Sequence, residues 1–236
     1  MTAASAQGVT AGRRPGGARG VTLVELLVVI AILSVVSAML VFTWIGLSNS
    51  FAGTTRSSDA RDFARQAASR MERELRDAEA QLTTGHYMGL PAVLWASANQ
   101  ITFVTTFNDA GNDVPEANPL AVMYYVDVDK GTLYMKRDAN DDGRWDSAKA
   151  RALVPYVVNG SVGASGATPV FSYTYIGDDG TFVTARPTDD AASLSAYERG
   201  RIVSVTFTLL VDLNPGHSPT HMTLTSTAQL RNQRQF

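Results

Sequence analysis

The run from Val21 to Ile45, "VTLVELLVVIAILSVVSAMLVFTWI", contains one ionisable side chain, Glu25, in an otherwise apolar sequence. As a helix it would measure about 37 Å at about 1.5 Å per residue, enough to cross a hydrocarbon core about 30 Å thick. So large an apolar surface cannot stay in water, and the chain must divide into an anchor and whatever follows it. Thr22, Ser34, Ser37 and Thr43 are the other polar positions, and small hydroxyls can bond back to their own helix. Glu25 is different. A charged acid at the centre of a membrane helix costs about 2.5–3.5 kcal/mol on the mildest insertion scale, so the carboxylate calls for a partner or a place near the bilayer edge.

Flanking charge orients the span. Arg13, Arg14 and Arg19 precede it with no acid before them or between, which by the positive-inside rule leaves the N-terminus in the cytoplasm and everything beyond Ile45 outside. The 236-residue chain holds 20 basic and 22 acidic residues, net −2, and loss of those three arginines would take it to −5. An acidic mature chain lacks the basic stripe of a nonspecific nucleic-acid binder, so no nucleic-acid partner is expected. Without cysteine, disulfides and thiolate metal sites are excluded.

Two processing routes fit such an amino terminus. In an ordinary signal peptide the basic and apolar regions would end at a small-residue site, Ser50-Phe51-Ala52 before Gly53, but neither the length of the run nor its internal acid is needed for that. The stretch Gly20-Val21-Thr22-Leu23-Val24-Glu25-Leu26-Leu27-Val28 instead resembles the type III signal of type IV prepilins and type II secretion pseudopilins, with valine in place of phenylalanine at the first mature position. The resemblance implies that residues 1–20 are a cytoplasmic leader, that a membrane prepilin peptidase cuts between Gly20 and Val21, and that it methylates the new amine of Val21. It also implies a role for Glu25 in assembly. Its carboxylate would neutralise the amine of Val21, within one subunit or across to its neighbour, and so draw the subunit into a filament.

Beyond the anchor, residues 21–45, the helical pattern continues through a stem, residues 46–80. Ala60, Phe63, Ala64, Ala67, Met71, Leu75 and Ala78 recur at three- and four-residue spacing, one apolar stripe on a charged helix. Arg70 with Glu74 and Glu72 with Arg76 are spaced for ion pairs on its solvent face. No proline lies between Val21 and Leu90, whereas major type IV pilins often carry one where this chain has Phe42; Gly46 and Gly53 are the expected sites of any bend. The "RMERELRDA" stretch, Arg70 to Ala78, is similar to the same region of J-type minor pseudopilins and W-type minor pilins.

From about Pro91 the period becomes two. Ile101, Phe103 and Phe107 alternate, as do Val122, Tyr124, Val126 and Val128; Thr132 to Arg137 reads as the hairpin partner across Lys130-Gly131. Val170 to Ile176 and Thr181 to Thr184 flank a second turn, "GDDG". Val203, Val205, Phe207, Leu209 and Val211 face one way with Ser204, Thr206 and Thr208 the other, and Met222, Leu224 and Ala228 repeat the pattern. The expected fold is α+β: a long N-terminal helix, part anchor and part amphipathic stem, packed on an antiparallel β-sheet head over residues 81–236.

Patterns for catalysis and nucleotide binding are missing: no nucleophile elbow, no His-Glu-x-x-His, no phosphate loop and no dinucleotide glycine fingerprint. His217 and His221 are four apart in an extended stretch, some 13 Å at about 3.3 Å per residue, too far for one metal. "DANDDGRWD" places Asp138, Asn140, Asp142, the carbonyl of Arg144 and Asp146 at alternate positions with Gly143 at the turn, the spacing of a calcium loop. Lys149 stands where the bidentate glutamate belongs, so a solvated acidic hairpin tip is the competing reading. No cofactor is required beyond that calcium.

The sequence therefore points to a non-enzymatic minor pilin or pseudopilin in the cytoplasmic membrane, single-pass, with an extracytoplasmic head. Its expected partners are the prepilin peptidase, other pilins of a filament, an inner-membrane assembly platform and lipid. Its role would be to initiate or cap a type II secretion pseudopilus or a type IV pilus. A DNA-uptake or adhesive tip pilin, differing only in the head, and an exported β-domain protein with an ordinary signal peptide are the alternatives.

Overall fold

The computed structural model describes residues 21–79, 86–106, 120–138, 143–145, 149–160, 167–187, 193–213 and 221–230. It divides into two compact units, one ending at Phe51 and one beginning at Ala52. Helix α1, Leu23–Arg76, contributes to both. The helix runs unbroken through Gly46 and Gly53, so neither opens into a melted turn, and the last helical residue is Arg76.

In the first unit the apolar side chains from Val21 to Ile45 are all exposed, and α1 is the one described helix with the length and composition to cross a membrane, its most apolar window reaching a mean hydropathy of 2.8. Ser34 donates to the Ile30 carbonyl at 2.7 Å and Thr43 to the Met39 carbonyl at 2.8 Å. Both hydroxyls thus satisfy themselves inside the helix, as hydrocarbon demands.

The second unit is a head of two antiparallel sheets with the C-terminal part of α1 in its core. The first sheet is a meander of β1 (Val93–Ala96), β2 (Gln100–Thr105), β3 (Leu120–Asp127), β4 (Thr132–Asp138) and β5 (Arg151–Pro155), in that order. The second, in the order β7-β6-β8-β9, is built from β6 (Phe171–Ile176), β7 (Phe182–Ala185), β8 (Ile202–Asp212) and β9 (His221–Gln229). A single turn, α2 (Ala196–Arg199), precedes β8 and is closed by a capping box between Ser195 and Glu198.

Both hairpins expected from turn chemistry form. Asp127 pairs with Thr132 around a turn in which Gly131 takes φ +55°, and Ile176 pairs with Phe182 around "GDDG", with Gly180 at φ +78°. Positive φ is open to glycine at little steric cost, which is why these residues punctuate the chain. Two details depart from the simple alternation. Val203 is only half-buried because a bulge between Thr174 and Tyr175 shifts the β6–β8 register and turns Ile202 inward instead. β2 is buried at every position after Gln100, since a small cluster of Tyr87, Val104 and Ala121, with Leu94 and Trp145, covers its second face. Phe107 lies outside the described residues.

One continuous core joins helix and sheets. Ala60, Ala64, Ala67, Ala68, Met71 and Leu75 of α1 pack with Phe103, Tyr124 and Leu133 of the first sheet and Phe171, Tyr173 and Phe207 of the second. The helix contributes mostly alanine, so the bulky ring residues of the sheets can approach its backbone, and each buried ring removes enough apolar area to contribute about 1.5–3 kcal/mol. Phe63 breaks the expected stripe: it is 48% exposed.

Candidate functional site

Glu25 opens α1 as the third residue of its first turn. Its carboxylate oxygen Oε2 accepts the Thr22 backbone N–H at 3.0 Å and the Thr22 hydroxyl at 3.1 Å, while the Glu25 N–H donates to Thr22 Oγ1 at 3.2 Å. This is a reciprocal capping box, the Thr-x-x-Glu pattern written into "TLVE", and it occupies two of the helix's orphan donors. A carboxylate also sits favourably at the positive end of the helix dipole. Glu25 therefore has a local partner set within its own chain, and the Thr-x-x-Glu spacing is the sequence signal for it. The geometry holds the acid one turn from Val21, whose nitrogen would be the free amine of a chain cut after Gly20. Gly20 itself lies outside the described residues.

A second charged constellation lies in the head. Glu74 is fully buried on α1, where its Oε1 receives Arg70 Nε at 3.0 Å and Arg137 Nη2 at 2.6 Å, and its Oε2 receives the Tyr124 hydroxyl at 2.5 Å. The Arg70–Glu74 pair was expected on the solvent face; it is instead a buried bridge between the stem helix and strands β3 and β4. Position 74 continues the series 67, 71, 78 of the apolar stripe, and that register was the available signal. Burial, and then the negative charge of Glu74, hold the Tyr124 phenol well above its ordinary titration range, so it stays a donor. Glu72 behaves as expected, pairing with Arg76 at half-exposed positions and accepting from Ser226 of β9 at 3.1 Å.

The acidic loop after β4 is described only in part. Asn140, Asp142 and Asp146 lie outside the described residues, and among those that are described no group of three histidine or acidic side chains is placed to hold a metal. Asp138 is buried, its Oδ2 accepting the Tyr87 hydroxyl at 2.6 Å and the Gly143 N–H at 2.8 Å. That oxygen ties Gly143 to the end of β4. Gly143 has φ +71°, a backbone conformation that favours glycine, and a Cβ there would meet the His86 imidazole and require it to move. Arg144 is exposed beside it. His86 and His221 are surface residues, and His217 is outside the described set.

No curated protein matches the sequence. A family model described as the prokaryotic N-terminal methylation motif matches residues 16–41, which spans the arginine-flanked leader end, the capping box and most of the apolar run. The residues that satisfy the helix start thus lie within that methylation motif, and in this amino-terminal segment the chain is similar to the type IV prepilin-like proteins.

Proposed function

We propose that this chain is a structural minor pilin or pseudopilin, cut after Gly20, methylated on Val21, and built into a type II secretion pseudopilus or type IV pilus as a subunit that starts or caps the filament. The observation that carries the reading is the continuity of the methylation motif at 16–41 with α1, whose later turns form the spine of an antiparallel β head. A helix of that kind delivers one end to a membrane and the other to a folded domain. In this reading the N-terminus faces the cytoplasm, the head lies outside it, and Glu25 meets the amine of Val21 in its own or an adjoining subunit. The prepilin peptidase, neighbouring pilins and an inner-membrane platform are the partners. A resemblance of "RMERELRDA" to J- and W-type subunits favours a low-copy position.

Filament counting tests it. Deleting the chain should sharply reduce the number of surface filaments or the secretion they support, while sheared filaments from the complemented strain contain it only in trace amounts. Unchanged filaments together with a chain confined to the membrane fraction would exclude the initiating or capping role.

A further inference from the structure

The head carries a basic groove between α1 and the edge strand β5, lined by Phe63, Arg65, Arg70, Arg73, Arg151 and Leu153, with a volume of about 560 Å³. Arg70 is tied to Glu74, but Arg65 and Arg151 are exposed and form no salt bridge among the described residues. β5 pairs with β4 on one side only, leaving its other backbone edge without a strand among the described residues. The opposite edge of the same sheet is treated differently: the Ala96 carbonyl and N–H of β1 are taken by the Leu194 N–H at 3.0 Å and Ser193 Oγ at 2.9 Å.

We infer that this groove is a docking site for an acidic, extended peptide segment of a partner protein. Its chemistry is mixed in the way such a ligand requires. Guanidinium groups from two elements present planar donors that match carboxylates. Phe63, left half-exposed where the stripe called for burial, and Leu153 supply apolar wall for the intervening side chains. The free backbone of the Arg151–Ala152 half of β5 offers amide contacts, whereas the bulge at Leu153 and Pro155 limit pairing beyond it. A uniform polyanion is less well matched, because the chain as a whole is net negative and the groove is partly apolar. The inference does not depend on how the amino terminus is processed, since every residue lining the groove lies in the head.

Binding of short fluorescent peptides to the full chain in nonionic detergent tests the inference. A peptide of alternating glutamate and valine should bind with an affinity that falls as salt rises, and its lysine counterpart should not. Reversing both free arginines, R65E with R151E, should weaken the glutamate peptide by about tenfold or more and admit the lysine peptide. That gain distinguishes a switched groove from a misfolded head. No binding of the glutamate peptide, or binding that the double reversal leaves unchanged, overturns the inference. An oligothymidine that displaces the peptide and binds as tightly overturns it as well, by showing a general anion patch.

Discussion

Glu74→Ala should lower the unfolding free energy of the head by about 3–5 kcal/mol, the usual loss when one member of a buried ion pair is removed. The substitution leaves Arg70 and Arg137, with side chains 11% and 20% exposed, without their shared carboxylate, and it leaves the buried Tyr124 hydroxyl without its acceptor. Against a typical domain stability of about 5–15 kcal/mol, that loss is a large share of the total, and at the low end of the range it would unfold a substantial fraction of molecules. Glu74→Gln should lie between the two, keeping part of the hydrogen bonding and losing the charge. A urea titration followed by aromatic circular dichroism measures the difference. A loss under about 1 kcal/mol for Glu74→Ala would mean that the bridge behaves like an exposed pair and does not fix the stem to the sheet.

Glu25→Ala should leave membrane insertion and removal of the leader intact while reducing incorporation into filaments on the order of a hundredfold, the equivalent of the 2.5–3.5 kcal/mol that an unpaired acid costs in hydrocarbon. The capping box makes a sharper comparison available. Glutamine can take the same place in the box, so Glu25→Gln keeps the bonds to Thr22 and loses only the charge. If charge neutralisation with the Val21 amine drives docking, Glu25→Gln fails to assemble as badly as Glu25→Ala, and Thr22→Ala, which removes the hydroxyl but leaves the carboxylate, assembles nearly normally. Recovery of Glu25→Gln in sheared filaments at native levels would assign the residue to helix capping alone. Immunoblots of membrane and sheared fractions separate the outcomes.

Elements whose information is local were legible in the sequence. The apolar run and the glycine-bearing turns at Gly131 and Gly180 each specify their structure within a few residues, and the structure makes the first a helix and the other two hairpin turns. What was not legible depends on contacts far along the chain. Glu74 reads as a surface residue because an i,i+4 pair looks the same on either face; its burial is decided by Tyr124 and Arg137, 50 and 63 residues away. β5 alternates poorly because one edge and much of one face are open, and neither the division of the strands into two sheets nor the bridge between Val157 and Val211 is announced by any period. The cap at Thr22 is also local, written in the Thr-x-x-Glu spacing of Thr22 and Glu25.

The most direct test is the chemical state of the amino terminus of membrane-extracted protein, compared between cells with and without a functional prepilin peptidase. Mass spectrometry of the N-terminal peptide should give methylated Val21 when the peptidase is present and the uncut leader when it is absent. An N-terminus at Gly53, or a chain starting at Met1 in both strains, would contradict assignment to the filament pathway.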